Sequence, residues 1–190
     1  MTKIYAHRGF SEKYPENTML AFERAVYDYK VDILELDLCL TYDNHLIANH
    51  NDTLDSVCDV PYENYVIAEH TLEEISYLNF AYNFEDLNGN YPFRNIVEEN
   101  NISYEDRPGF LYEQGISVAV IDDIFSSFYS ENMKYIIELK DGGERGKIAA
   151  EKLLNLIHYW GIEELVIVSS FHSEIEEYVR ELDSNIYIGA

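Results

Sequence analysis

Short apolar runs recur along the chain, and polar or charged stretches separate them. The runs are rich in isoleucine, valine, leucine and tyrosine, which are typical of buried strands. They predict six strands, at residues 3–6, 32–40, 45–50, 133–140, 164–171 and 185–190.

Between most of these runs the apolar residues return every three or four positions, which indicates helices. The first helical pattern offers Asn17 or Thr18 as its N-cap, and the second ends at Gly161, a typical helix stop. Strands that alternate with helices predict an α/β protein with a mostly parallel sheet. The three helical patterns cover residues 17–29, 143–161 and 172–184.

Residues 59–117 interrupt this alternation with a stretch rich in tyrosine, asparagine and glutamate. Thr71 and Glu74 form a capping-box pair that predicts a short helix over residues 71–78. The remainder is expected to be an irregular insertion or lid, because long loops of this kind tend to be functional or mobile. Residues 1–190 are predicted to form one domain that carries this insertion.

The charge balance narrows the partners that the chain can have. Thirty-six acidic residues against 13 basic ones give a net charge of −23. Such a surface repels nucleic acid and anionic lipid head groups. A phosphate substrate would therefore need a local positive site, either a metal ion or a few placed basic residues.

The sequence offers no sign of secretion or of membrane insertion. Cys39 and Cys58 are too few for a disulfide framework, and buried free thiols are expected. No run of 18 apolar residues and no signal-peptide pattern is present. These features predict a cytoplasmic protein.

Residues 33–50 carry the strongest chemical signal. Glu35 and Asp37 are two apart on a predicted strand and therefore point to the same face. Two neighbouring carboxylates repel each other unless a cation or a shared proton relieves them. A two-residue turn at residues 43–44 would set Asp37 opposite His50, which predicts that both carboxylates and this histidine share one face.

Further polar side chains stand at the carboxyl ends of other predicted strands, where parallel α/β folds collect their chemistry. His7 and Arg8 follow the first strand, and Glu138 and Lys140 end the fourth. Three carboxylates without cysteine favour a hard cation, Mg²⁺ or Ca²⁺. Histidines suit general acid–base catalysis and the basic residues suit a phosphoryl group, although Lys140 could equally pair with Glu138 alone.

Five stretches of the chain, in order, carry a resemblance to a known family. They are AHRG with PENT, then ELDLCLT, then LIANH, then IIELK and then VIVSSF. This pattern resembles the glycerophosphodiester phosphodiesterase family over nearly the whole chain apart from residues 59–117. The resemblance implies a TIM-barrel-like fold and a metal-dependent hydrolase that converts glycerophosphodiesters to glycerol 3-phosphate and an alcohol.

The resemblance also implies a role for each matching residue. Glu35, Asp37 and Glu138 would hold the divalent metal, and His7 and His50 would be the acid–base pair. Contacts to the substrate would come from a further set of side chains: Arg8 and Lys140 at the phosphate, Glu16 in support of Arg8, and Ser170 and Phe171 at the pocket wall.

Three features depart from the family pattern. Asn51 stands where the family usually has aspartate, and Ser56 stands where it often has arginine. An amide lacks the charge of a carboxylate, so the behaviour of His50 is expected to differ. The chain also ends at the sixth predicted strand, whereas eight-stranded barrels usually run to about 250 residues. We therefore expect a barrel that lacks its last two strand–helix units. Either the chain is a fragment, or another chain or oligomer covers the gap, or the barrel closes differently.

Two other functions fit the same residues. A lysophospholipase D-like enzyme would act on longer lipid diesters at the same site. An inactive relative would bind a metal or a partner without catalysis, an alternative that the missing strand–helix units and Asn51 favour.

Overall fold

Strands alternate with helices in the structure, a computed structural model that describes residues 2–131 and 133–189. Residue 190, the last of the predicted sixth strand, lies outside the described residues. The strands within them are β1 (Tyr5–His7), β2 (Ile33–Leu40), β3 (Leu46–Ala48), β4 (Lys134–Leu139), β5 (Val166–Ser170) and β6 (Tyr187–Ile188). All six predicted strands are therefore found, each shorter than its apolar run.

The strands form one sheet that is parallel except for β3. Its order is β1-β2-β4-β5-β6, and β3 pairs antiparallel with the last residues of β2. Among the described residues, β1 and β6 are the edges, so this sheet does not close on itself. The predicted parallel α/β arrangement is confirmed.

The helices follow the predictions in four cases, three from periodicity and one from the capping box, and add others. They are α1 (Met19–Glu23), α2 (Leu72–Ser76), α3 (Ile96–Glu99), α4 (Arg107–Glu113), α5 (Ile121–Phe128), α6 (Gly143–Trp160) and α7 (Ser173–Leu182). A π-helical turn, Arg24–Asp28, continues α1, and 3₁₀ turns cover Ile67–Glu69, Tyr129–Glu131 and Glu163–Leu165. None of the helices in the described part of the chain has the length and apolarity needed to cross a membrane.

Helix ends agree with the capping residues of the sequence. Thr18, rather than Asn17, caps α1, because its side chain accepts a hydrogen bond from the Ala21 amide. The Thr71 and Glu74 capping box is present at α2. Gly161 ends α6 at a φ of 63°, a left-handed conformation that glycine adopts readily.

One face of the sheet supplies most of the core. Leu34, Leu36 and Leu38 of β2 are fully buried, together with Ile137 of β4 and Leu153 of α6. Each such side chain contributes about 1.5–3 kcal/mol through its burial. The other face of β2 is thereby left for Glu35 and Asp37, as the alternation predicted.

The expectation of an irregular stretch over residues 59–117 is wrong in part. This segment contains α2, α3 and α4, and its apolar side chains pack into two further buried clusters. The capping box predicted α2, whereas α3 and α4 are too short to show the periodicity by which α6 is recognisable, which explains why the sequence pattern did not reveal these two helices. Helix α5 was also not predicted, although it buries Ile121, Ile124, Phe125 and Phe128.

Candidate active site

The sheet register brings three carboxylates and a histidine to one face. Asp37 of β2 is paired with Glu138 of β4, and Glu35 of β2 is paired with His7 of β1. Side chains at paired positions of neighbouring strands point to the same side of a sheet. Glu35 and Asp37 are two residues apart, so all four side chains lie on the face opposite Leu36.

The three carboxylates form a compact group. Ligand oxygens of Glu35, Asp37 and Glu138 all lie within 4.8 Å of one another. Asp37 is only 1% exposed and Glu35 is 8% exposed, while Glu138 is half-buried. Burial raises the pKa of Glu35, and the negative charge of Asp37 adds to this effect. Carboxylate oxygens so arranged are suited to a hard divalent cation.

Arg8 contacts three acidic residues, Glu35 and Asp37 of the group and Glu16 of the loop after β1. Its backbone amide donates to Glu35 Oε2 at 2.8 Å, and its Nε lies 3.2 Å from Asp37 Oδ2. Its Nη1 lies 3.2 Å from both carboxylate oxygens of Glu16. Arg8 has a φ of 55°, and Gly9 follows it at 76°. This left-handed turn after β1 aims the amide of Arg8 at Glu35.

Lys140 reaches the group from the opposite side. Its Nζ lies 2.6 Å from Glu138 Oε1 and 3.6 Å from Asp37 Oδ1. The backbone amide of Lys140 donates to the Leu38 carbonyl, which fixes the chain just beyond β4. The same ammonium lies 5.6 Å from the centre of the Phe171 ring. Lys140 therefore does pair with Glu138, and it also stands beside an aromatic side chain at the rim.

His7 lies next to the carboxylates but remains accessible. Its Nε2 is 3.8 Å from Glu35 Oε2, and its side chain is 54% exposed. The carbonyl of His7 accepts a hydrogen bond from Ser11 Oγ, which anchors the loop that follows β1. This imidazole is thus placed between the acidic group and solvent.

The predicted register of the β2–β3 hairpin is wrong. Leu38 pairs with Ala48 and Leu40 with Leu46, and the amide of Asn49 donates to the Asp37 carbonyl. The loop has three residues, 42–44, because the third adopts a left-handed conformation with a φ of 62°. Asn49, rather than His50, therefore lies opposite Asp37.

His50 lies in a bend beyond β3. Its Nδ1 is 3.0 Å from Asn51 Oδ1, and Asn51 Nδ2 donates to Ser56 Oγ at 3.1 Å. Because the Asn51 amide nitrogen donates to Ser56, the amide oxygen of Asn51 faces the His50 imidazole. An amide oxygen can only accept, so His50 Nδ1 must carry the proton of this hydrogen bond. The two residues that depart from the family pattern thus bond to each other, and one of them, Asn51, also bonds to His50.

The two predicted pocket residues differ in their surroundings. Ser170 Oγ donates to the Leu139 carbonyl and accepts from the His172 amide. It therefore links the end of β5 to the end of β4. Phe171 is 88% exposed and stands at the rim beside Lys140. Phe171 therefore lies near the carboxylate group because it stands beside Lys140, whereas Ser170 forms hydrogen bonds that stabilise the fold.

Asn17, which the sequence predicted only as a possible helix cap, also contacts the carboxylate group. Its Nδ2 donates to Asp37 Oδ2 at 3.0 Å, and its Oδ1 accepts from the Asp37 amide at 3.3 Å. It is 1% exposed and has a φ of 54°. The signal available in the sequence was an asparagine in a buried polar loop, since asparagine tolerates left-handed backbone better than most residues.

The sequence of this chain is similar to those of known proteins. A glycerophosphodiester phosphodiesterase from Bacillus altitudinis is 30% identical over 90% of this chain and 59% of its own length. One from Caldanaerobacter subterraneus subsp. tengcongensis is 31% identical over 99% of this chain and 65% of its own length. The chain thus spans less than two thirds of the length of these relatives.

Solved structures share the fold. A glycerophosphodiester phosphodiesterase from Agrobacterium tumefaciens superposes with a TM-score of 0.75 at 22% identity, covering 99% of this chain and 66% of that one. A phosphodiesterase from Oleispira antarctica, solved with the product sn-glycerol-3-phosphate, has a TM-score of 0.74 at 19% identity, covering 100% and 65%. The expected α/β, TIM-barrel-like class is confirmed.

A family model extends this likeness over almost the whole sequence. The model described as "Glycerophosphoryl diester phosphodiesterase family" matches residues 7–189. That match includes His7, Glu35, Asp37 and Glu138, which the sheet brings together. The chain therefore belongs to the glycerophosphoryl diester phosphodiesterase family.

Proposed function

We propose that the chain acts as a metal-dependent phosphodiesterase, which hydrolyses glycerophosphodiesters to glycerol 3-phosphate and an alcohol. The family membership supports the reaction class. One observation carries the proposal: the oxygens of Glu35, Asp37 and Glu138 lie within 4.8 Å of one another. An exposed histidine and two basic side chains stand around them.

The donor set fits a hard divalent cation, Mg²⁺ or Ca²⁺. Three carboxylates within one site repel one another, and burial of Asp37 strengthens this repulsion. Arg8 and Lys140 offset part of the negative charge. In the proposal Glu35, Asp37 and Glu138 hold the cation. A bound divalent cation supplies Lewis-acid polarisation of a phosphoryl oxygen and stabilises the charge that develops there.

The two histidines are proposed to move the protons. One imidazole takes a proton from the attacking hydroxyl or water as its oxygen bonds to phosphorus. The other imidazole gives a proton to the alcohol oxygen as the bond from that oxygen to phosphorus breaks. His7 supports this role by its exposure next to Glu35. His50 supports it because Asn51 holds its Nδ1 and leaves Nε2 for chemistry.

The basic residues are proposed to bind the phosphate. Arg8 is held by Glu16 in a fixed orientation and suits an anionic oxygen. Lys140, whose ammonium contacts Glu138, would bind another oxygen of the phosphate. Phe171 would cover the substrate from the rim beside Lys140. Ser170 is proposed to shape the pocket by fixing the end of β5.

We also assign the chain to the cytoplasm, with a small-molecule diester as its partner. Cys39 and Cys58 are both free and buried, as in proteins of a reducing compartment. The net charge of −23 disfavours contact with anionic membranes and nucleic acids.

The test is release of glycerol 3-phosphate from glycerophosphocholine and glycerophosphoethanolamine. We expect release with Mg²⁺ or Ca²⁺, loss of release with EDTA, and recovery when excess metal is added back. His7→Ala should abolish release, whereas His45→Ala, at an exposed histidine just after the hairpin loop, should retain it. A folded protein that releases no product under any of these conditions would favour the inactive, ligand-binding alternative.

A further inference from the structure

We propose that Asn17 orients Asp37 so that only one oxygen of its carboxylate is free for a cation, and that the site therefore favours Mg²⁺ over Ca²⁺. This inference rests on the proposed function and adds the identity of the metal. Asn17 acts through Asp37 and is therefore a positioning residue. The hydrogen bonds around the carboxylate group carry the argument.

Asn17 holds Asp37 with both ends of its side-chain amide. Its Nδ2 donates to Asp37 Oδ2 at 3.0 Å, and its Oδ1 accepts from the Asp37 backbone amide at 3.3 Å. Rotation of the carboxylate would break the first of these bonds. Asp37 is only 1% exposed, and loss of a hydrogen bond by a buried carboxylate is costly. The carboxylate is therefore fixed in orientation as well as in position.

The backbone fixes Asn17 on both sides. The Asn17 amide donates to the Arg8 carbonyl at 3.0 Å, which joins the two ends of the loop after β1. On the other side, Thr18 caps α1 and its hydroxyl donates to the Pro15 carbonyl at 2.7 Å. The side chain of Asn17 is itself buried. The loop between β1 and α1 thus presents the amide to Asp37 in one orientation.

Arg8 contacts the same oxygen of Asp37 as Asn17 does. Its Nε lies 3.2 Å from Asp37 Oδ2, so two nitrogen atoms stand against that oxygen. Asp37 Oδ1 lies 3.6 Å from Lys140 Nζ, which is beyond hydrogen-bond distance. Oδ1 is therefore the oxygen that Asp37 offers to a cation.

The other two carboxylates are restricted in the same way. The backbone amide of Arg8 donates to Glu35 Oε2 at 2.8 Å, and Lys140 Nζ donates to Glu138 Oε1 at 2.6 Å. Within the described part of the chain, the second oxygen of each carboxylate forms no hydrogen bond. Glu35, Asp37 and Glu138 thus offer one free oxygen each.

One free oxygen from each carboxylate suits Mg²⁺ better than Ca²⁺. Mg²⁺ demands octahedral geometry, and it commonly keeps several waters or binds substrate phosphate beside a few carboxylates. Ca²⁺ takes roughly six to eight oxygens and often binds both oxygens of one carboxylate. Because Asn17, Arg8 and Lys140 occupy the second oxygens, the group supplies too few donors for Ca²⁺.

The test compares the dissociation constants for Ca²⁺ and Mg²⁺, each titrated into the whole chain by calorimetry without substrate. The selectivity ratio, Kd for Ca²⁺ divided by Kd for Mg²⁺, should be one or more in the parent. Asn17→Gly keeps the left-handed backbone but removes the amide, so Asp37 can turn and offer both oxygens. We expect this variant to lower the ratio by about five-fold or more. The matched control is Asn101→Gly, at an exposed asparagine with the same φ of 54°, and it should keep the parent's ratio.

A second variant keeps the test decisive if Asn17→Gly does not fold, which circular dichroism would show. Lys140→Met frees Glu138 Oε1 and should lower the ratio by about three-fold or more. Loss of the ammonium charge affects two divalent cations alike and cancels in the ratio. Lys152→Met, at an exposed lysine of α6, is the control for this variant. A purely structural role of Asn17 would weaken both cations equally and leave the ratio unchanged.

The outcomes separate this inference from the proposed function. A parent that binds neither cation or that prefers Ca²⁺ would overturn the inference. An unchanged ratio in folded Asn17→Gly, or in Lys140→Met where the first variant is unfolded, would also overturn it. If the parent prefers Mg²⁺ and the ratio falls as expected, but no diester is hydrolysed, the proposed reaction fails and the inference stands.

Discussion

Lys140 Nζ lies 2.6 Å from Glu138 Oε1, so a lysine ammonium sits against the carboxylate group proposed to hold a metal. The same nitrogen is 3.6 Å from Asp37 Oδ1. Without a divalent cation, this ammonium and the guanidinium of Arg8 are the charges that relieve the repulsion among the three carboxylates. We therefore expect metal binding and the position of Lys140 to be coupled.

Lys140→Met should lower the thermal stability of the metal-free protein. Loss of a partly buried ammonium leaves two carboxylates with less compensation, which should cost about 1 kcal/mol or more. In a chain of this length that corresponds to a fall of about 2–4 °C in Tm. The variant should also gain more Tm than the parent when Mg²⁺ or Ca²⁺ is added, and differential scanning fluorimetry measures both effects.

Lys152→Met is the control for this measurement, because Lys152 is exposed on α6. Its Tm and its response to metal should match those of the parent. If Lys140→Met shows the parent's Tm and the parent's response to metal, the ammonium does not stabilise the carboxylate group.

Asn17→Ala should destabilise the fold strongly. The substitution removes both hydrogen bonds to Asp37 and leaves buried polar atoms without partners. It also places alanine at a left-handed φ of 54°. Together these losses should cost about 2–4 kcal/mol of the free energy of unfolding, measured by urea denaturation.

Asn64→Ala isolates the backbone part of this effect. Asn64 has a similar φ of 60°, but its side chain is exposed. It should lose only about 1 kcal/mol. Equal losses in the two variants would mean that the left-handed backbone, rather than the contact with Asp37, accounts for the cost.

Asn51→Asp should move the pH dependence of diester hydrolysis. A carboxylate in place of the amide would stabilise the protonated form of the adjacent His50 imidazole. The limb of the pH–rate profile that reports this histidine should shift to higher pH, by about one unit or less because the site is exposed. Ser56→Ala loses the neutral bond to Asn51 without a change of charge and should leave the limb in place. Identical profiles for all three proteins would argue against a catalytic role for His50.

The two thiols should be inert in the folded protein. Burial raises the pKa of both Cys39 and Cys58 above the ordinary value. A raised pKa lowers the thiolate fraction at pH 8, and the thiolate is the reactive form. A thiol-specific colour reagent should detect no cysteine in the native protein and both after unfolding in guanidinium. Rapid labelling of either thiol in the native state would contradict the buried positions.

Strand parity was the part of the site that the sequence predicted well. Glu35 and Asp37 share a face because strands alternate, and Glu138 joins them because parallel neighbours keep their register. The hairpin register was predicted wrongly because a loop that contains residues 43 and 44 can have two residues or three. That choice depends on the left-handed conformation of Asn44, which the polar pattern does not reveal.

Other features were beyond pattern reasoning. Asn17 contacts Asp37 across a loop, and a buried side-chain amide has no periodic signature. Helices α3 and α4 are too short to display a helical period. Tertiary packing of their apolar residues in a buried cluster stabilises them. Asn51 donates to Ser56 and its amide oxygen accepts from His50, and neither bond could be predicted without the side-chain positions.

Glu35, Asp37 and Glu138 are proposed to hold together a divalent cation that diester cleavage requires. The most direct measurement is a titration of Mg²⁺ and Ca²⁺ into the parent and into Glu138→Gln, with heat of binding and release of glycerol 3-phosphate followed on the same samples. We expect one cation per chain in the parent, with product release that rises as the site fills, and at least a ten-fold weaker site with little release in the variant. Product release by the parent that is independent of added metal and survives EDTA, or cation binding and release that are the same in both proteins, would contradict it.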